Sequence, residues 1–120
     1  MLFFRIFATM KIIRNPLLPP RRFAAINILG MLFCRKHTLL SAALIRHERI
    51  HTRQMIELAF AGFYLWYLVE WLIRLPQKGR AYYNISFERE AYAHMGEPDY
   101  LLHRRPYAWM KYLRQKSKRK

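Results

Sequence analysis

From His37 to Leu58 the chain reads "HTLLSAALIRHERIHTRQMIEL", without a glycine or proline to interrupt it. Thr38 or Ser41 can cap its start, and Leu40, Leu44, His47, His51, Gln54 and Met55 fall near one face at spacings of three and four. This is the clearest helix in the sequence, and whatever else folds must pack against a stripe that contains two histidines.

Ahead of it, "NPLLPPRR" at residues 15–22 is too rich in proline for regular helix and reads as an extended arm, which puts the start of the folded part near Phe23. "FAAINILGMLFCRK" then reads as a strand, or a strand pair with a bulge or turn at Gly30. Downstream, "NISFEREAYAHM" reads as a helix with Asn84 or Ser86 at its cap and Glu88 and Glu90 in its first turn, where the helix dipole favours carboxylates. "DYLLHRRPYAWMKYL" reads as a last amphipathic helix or two short pieces broken at Pro106. The expected fold is one small α+β domain, mainly α with a short antiparallel β element. It runs over residues 23–113, between a basic Pro-rich arm at 1–22 and a basic tail at 114–120.

The 22 Lys and Arg against 7 Asp and Glu give a formal charge of +15, which points to phosphate-bearing partners, an anionic membrane surface or nucleic acid. Every acidic residue lies between Glu48 and Asp99, so a nearly neutral middle is flanked by two cationic ends. A nucleic-acid reading would set "RQKSKRK", Arg21, Arg22, Arg104 and Arg105 on phosphates, but nothing resembles a base-reading module. The uncharged, aromatic "LAFAGFYLWYLV" suits a lipid surface better, though it is shorter than the roughly 20 residues that span a bilayer. Glu57 and Glu70 at its ends fall about 220° apart round a single helix, so Gly62 is the expected break before a second helix at 63–75. A cytoplasmic or membrane-associated location follows. The single Cys34 excludes an internal disulfide, and "MLFFRIFATM" lacks the apolar run of a signal sequence, with Met10 an alternative start.

"HERIH" places His47 and His51 four apart with Glu48 beside the first. On a helix i and i+4 share a side, so both imidazoles can address one metal ion while Glu48 reaches a water next to it. A random order of the same histidines and glutamates yields this pattern about one time in a hundred, so chance is a poor account of it. Such a site needs a third protein ligand from a separate element, and Glu88, Glu90, His94 and His103 are the candidates. Glu88 and Glu90 each begin an E-x-x-A pattern, whose small alanine lets two helices approach.

"HERIHTRQ" followed by "FEREAY" resembles the HExxH and ExxA(D/Y) pair of gluzincin metallopeptidases, among them the membrane-bound CAAX prenyl endopeptidase family. The chain's size is similar to that of the minigluzincins, and short bacterial proteins carry nearly the same motif. The resemblance covers roughly residues 23–95 and implies a truncated zincin-like domain, its active-site helix packed on a downstream Glu-bearing helix. It further implies that His47, His51 and Glu88 hold Zn²⁺, that Glu48 is the general base, and that "AAINILGMLF" is a strand pairing with an extended peptide substrate. Tyr92 stands where many such enzymes have aspartate. The implied activity is peptide-bond hydrolysis by a metal-activated water, with Tyr83, Tyr92, His94, Arg89 or Tyr107 as donor to the oxyanion. Other readings of the same residues are an inactive zinc-binding or membrane-associated protein, or a basic nucleic-acid-binding one.

Overall fold

Leu29 and Gly30 take φ values of 53° and 88°, the left-handed pair that a type I′ turn requires, and the flanking residues fold back on each other as a hairpin. Its arms are β2 (Ala25–Ile28) and β3 (Met31–Arg35), paired antiparallel, and the turn is closed by the Gly30 N–H donating to Asn27 Oδ1 at 2.9 Å. In this computed structural model residues 11–19, 24–76 and 81–113 are described. The arm residues Arg21 and Arg22 and the basic tail therefore lie outside the described residues.

A strand ahead of the hairpin corrects the sequence reading. β1 (Lys11–Asn15) pairs parallel with the far side of β3, so the sheet is mixed, in the order β1-β3-β2, and among the described residues it takes in a segment ahead of Phe23. The strand shows no alternation to read from sequence, because its attachment is by polar groups. Arg14 Nη1 donates to Thr38 O at 2.8 Å, Asn15 Nδ2 donates to Cys34 O at 3.2 Å, and Asn15 Oδ1 accepts the Leu17 and Leu18 N–H groups in a turn that ends the strand.

α1 (Ala42–Glu57) starts at Ser41, whose Oγ accepts the Leu44 N–H at 3.0 Å; Thr38 takes no part in the cap. The helix buries His47, Ile50, His51, Thr52, Gln54 and Met55 along one face. It stops at Leu58, and Ala59 and Phe60, with φ of 54° and 61°, bend the chain by 108° into α2 (Ala61–Arg74). The break thus falls before Gly62, which lies inside the first turn of α2 and packs closely on Leu58. Two non-glycine residues in the left-handed region cost about 1–2 kcal/mol each, and the packing of α2 on α1 holds them there.

α3 (Ala81–Asn84) leads into α4 (Ser86–His94). Neither Asn84 nor Ser86 caps α4 with its side chain; the cap position is Ile85, and the first orphan N–H is met from another helix. Glu70 of α2 accepts the Ser86 N–H and the Ser86 hydroxyl, both at 2.6 Å, so a buried carboxylate sits on the positive end of α4. The described residues close with α5 (Tyr100–His103) and a 3₁₀ turn (Ala108–Tyr112), the two pieces that Pro106 separates.

Met55, Phe63, Ile85, Phe87 and Trp109 form the core between α1, α2, α4 and the 3₁₀ turn, with the Phe63 and Phe87 rings stacked at 4.6 Å. Each contributes about 2–3 kcal/mol by leaving water, which fixes α4 against α1. Asn27 Nδ2 ties the sheet to the same helix by donating to Glu48 O at 2.9 Å and Thr52 Oγ1 at 3.0 Å, which sets β2, an edge strand among the described residues, beside the middle of α1.

Candidate metal centre

The packing of α4 on α1 brings three donor atoms to one point. His47 Nε2 and His51 Nε2 lie 3.2 Å apart, and Glu88 Oε1 lies 3.2 Å from the first and 3.1 Å from the second. Tetrahedral ligands about 2.0–2.1 Å from an ion are themselves about 3.3 Å apart, so this near-equilateral triangle is the face that such an ion presents to its protein ligands. The group is buried and can hold a metal ion. Without one, the same atoms form a hydrogen-bonded ion pair. Burial opposes protonation of His51, but the Glu88 carboxylate, with Glu48 and Gln54 behind it, outweighs burial and raises the imidazole pKa to about 9. Glu88 is correspondingly held well below the usual carboxylate range, burial being overcome by the two histidines.

Glu90, the alternative third ligand, points elsewhere because two residues along a helix turn a side chain by about 200°. It is fully buried and accepts hydrogen bonds from Gln54 Nε2 at 2.9 Å, the Tyr100 hydroxyl at 2.6 Å and the Arg104 guanidinium. Its role is indirect. With Gln54 Nε2 donating to Glu90 and to Phe87 O, Gln54 Oε1 is left to accept from His51 Nδ1 at 2.8 Å. The proton of neutral His51 is thereby placed on Nδ1, and the Nε2 lone pair is turned to His47 and Glu88.

Glu88 is oriented by Tyr67 of α2, whose hydroxyl donates to Oε2 at 2.8 Å and leaves Oε1 for the histidines. His47 lacks a comparable support: its buried Nδ1 has no hydrogen-bond partner, and the Tyr92 ring meets the imidazole edge-on at 4.5 Å. A tyrosine where aspartate is usual in the resembling enzymes packs against this ring instead of accepting from it.

Glu48 is half-buried on the open side of the group. Burial raises its carboxyl pKa, against the pull of His51 and His47. It shares with His51 and Glu88 the wall of a cleft of about 270 Å³, which Ile26 and Asn27 of β2 and Phe63, Tyr64, Tyr67 and Tyr82 also line. Of the oxyanion donors expected, three are engaged away from this cleft. His94 bonds Glu97 and Tyr112, Arg89 bonds Asn84, and Tyr107 packs its N–H and hydroxyl on Glu57. Tyr83 and Tyr92 border a cluster with Tyr82, and it is the Tyr82 side chain that reaches the cleft. His37 and His103 are exposed and stand apart from the group.

Sequence reasoning missed Tyr67 and Tyr82, which look like any other ring in an aromatic stretch, and it missed Asn27. It also set Arg104 at the surface, on phosphates. The side chain is buried between Glu57 and Glu90, with Nη1 donating to Glu57 Oε2 at 2.6 Å, so this arginine is an internal counter-ion. Compared with known proteins, the chain matches no family model, no curated sequence and no solved structure.

Proposed function

We propose that the chain is a zinc-dependent peptidase of zincin-like design, acting on a peptide laid in extended form along β2. The observation that carries this reading is the meeting of His47, His51 and Glu88 within 3.1–3.2 Å, with a Glu48 carboxylate unspent beside them in a cleft. Two imidazoles and a carboxylate are the donor set that suits zinc and leaves a position open. Zinc bound there supplies a Lewis acid, lowering the pKa of a coordinated water towards about 7.

The protein's own groups divide the remaining work. β2 is an edge strand of the sheet among the described residues, and an extended backbone can add to it as a further strand, its carbonyls drawn past Glu48. Glu48 takes the proton as the peptide carbonyl is attacked and returns it to the leaving amine. In the metal-free chain burial raises its carboxyl pKa, which favours taking up the proton. Tyr82 lines the cleft, and its hydroxyl, 3.4 Å from that of Tyr92 and kept protonated by burial, is our candidate donor to the developing oxyanion. Ile26, Phe63 and Tyr64 offer an apolar wall for the side chain next to the bond that is cut.

The test is Glu48→Gln, assayed with the zinc-loaded protein on a mixed peptide library read by mass spectrometry. The variant is expected to keep zinc and lose hydrolysis by a factor of at least about a hundred. Equal cleavage by both proteins, or none by zinc-loaded wild type, contradicts the reading.

A further inference from the structure

α2 is built inside out. Phe63, Glu70 and Arg74 are 3%, 3% and 7% exposed, and with Tyr67 they form the inward face at spacings of four, three and four. Leu65, Leu68, Val69 and Leu72 form the opposite face and are 65%, 52%, 37% and 52% exposed. Charged groups are turned in and leucines out, the reverse of a helix facing water. Trp66 and Trp71 flank the stripe, half out of the protein, where an amphipathic ring meets both oil and water.

The remaining surface identifies what covers this face. Folding draws carboxylates inward: Glu57 and Glu90 are spent on Arg104, Glu70 on Ser86 and Arg74, and Glu88 on the histidines, while Glu48 lines the cleft. Glu97 and Asp99 alone among the acids are exposed, whereas Lys11, Arg14, Lys36, Arg105 and Lys111 all face outward in a chain of +15. A second copy on the leucine stripe would bring together two chains of +15 each, whereas an anionic lipid surface carries the opposite charge.

We propose that α2 docks this protein on an anionic bilayer, lying in the headgroup plane with Leu65, Leu68 and Leu72 in the acyl boundary. At about 1.5 Å per residue the helix is about 21 Å long, against about 30 Å of hydrocarbon, so it lies on the membrane and does not cross it. No single helix among the described residues is long and apolar enough to cross, and α1, which bends away by 108°, carries Arg46, Arg49 and Arg53. The proposal stands apart from the metal reading, since none of the stripe residues touches the His47, His51 and Glu88 group.

The experiment is co-sedimentation of the full chain with vesicles of phosphatidylcholine and of phosphatidylcholine with phosphatidylglycerol, joined to quenching of tryptophan by brominated acyl chains. Trp109 is buried, so the quenching reads Trp66 and Trp71. Expected are binding to the anionic vesicles, quenching, and a loss of at least about tenfold in partitioning for Leu68→Gln with Leu72→Gln at unchanged circular dichroism. If the double variant does not fold, Leu65→Gln alone is read by the same quenching and is expected to lower it. No association of the wild type, equal association of the variants, or a dimer that the variants dissolve would each overturn the proposal.

Discussion

Tyr67→Phe removes one oxygen atom and leaves the ring where it packs, 5.8 Å from Phe63 and 6.2 Å from Phe87. What disappears is the 2.8 Å hydrogen bond from the hydroxyl to Glu88 Oε2. A hydrogen bond to a charged group contributes about 1.5–3 kcal/mol, and at about 1.4 kcal/mol per factor of ten that is an expected drop in zinc affinity of about 10- to 100-fold. Competition with a chromophoric chelator measures the affinity, and urea denaturation of the metal-free protein shows whether the core is undisturbed. Affinity within about twofold of wild type, with the fold intact, would refute the reasoning, because Glu88 would then either not be a ligand or not depend on Tyr67 for its orientation.

In the metal-free protein the His51 imidazole is raised to about 9, so the stability it contributes is complete below about 6.5 and lost as pH rises through 9. Melting temperature measured with chelator from pH 6 to 10 should fall across that window; a rising profile contradicts the ion pair. Zinc must displace that proton, so calorimetry at pH 7.5 in buffers of different ionisation enthalpy should show about one proton released per zinc, and none released would argue against His51 as a ligand. Arg104→Ala takes the counter-ion from the buried Glu90 and the half-buried Glu57 and should cost about 3 kcal/mol in urea denaturation, whereas Arg105→Ala at an exposed site should stay within about 0.5 kcal/mol. Equal effects of the two would show that Arg104 is not an internal counter-ion.

The parts of this structure legible in the sequence are those with local causes. Ser41 caps α1 because a hydroxyl three residues ahead of Leu44 meets its free N–H, and Gly30 marks a turn whose geometry requires left-handed backbone. The spacing of His47, His51 and Glu88 could be read because helical periodicity aligns the first two, and the E-x-x-A pattern points to the third. What stayed hidden depends on packing between distant segments. β1 joins β3 through a parallel backbone ladder that no side-chain periodicity reveals, and the α1–α2 bend uses Ala59 and Phe60, whose left-handed backbone has no sequence signature. Glu70 read as the charged end of an aromatic stretch, yet it accepts the first N–H of a helix 16 residues away. Arg104 read as surface charge because composition counts an arginine without its partners, and Tyr67 is one ring among several until α4 sets Glu88 beneath it.

X-ray absorption of the purified chain loaded with zinc, set beside the metal content of Glu88→Gln, tests the central claim most directly. The account predicts one zinc per chain, with two imidazole nitrogens and a carboxylate oxygen at about 2.0–2.1 Å, and a sharp loss of metal in the variant. Wild-type protein that takes up no zinc, or a Glu88→Gln variant that binds it as tightly as wild type, would contradict it.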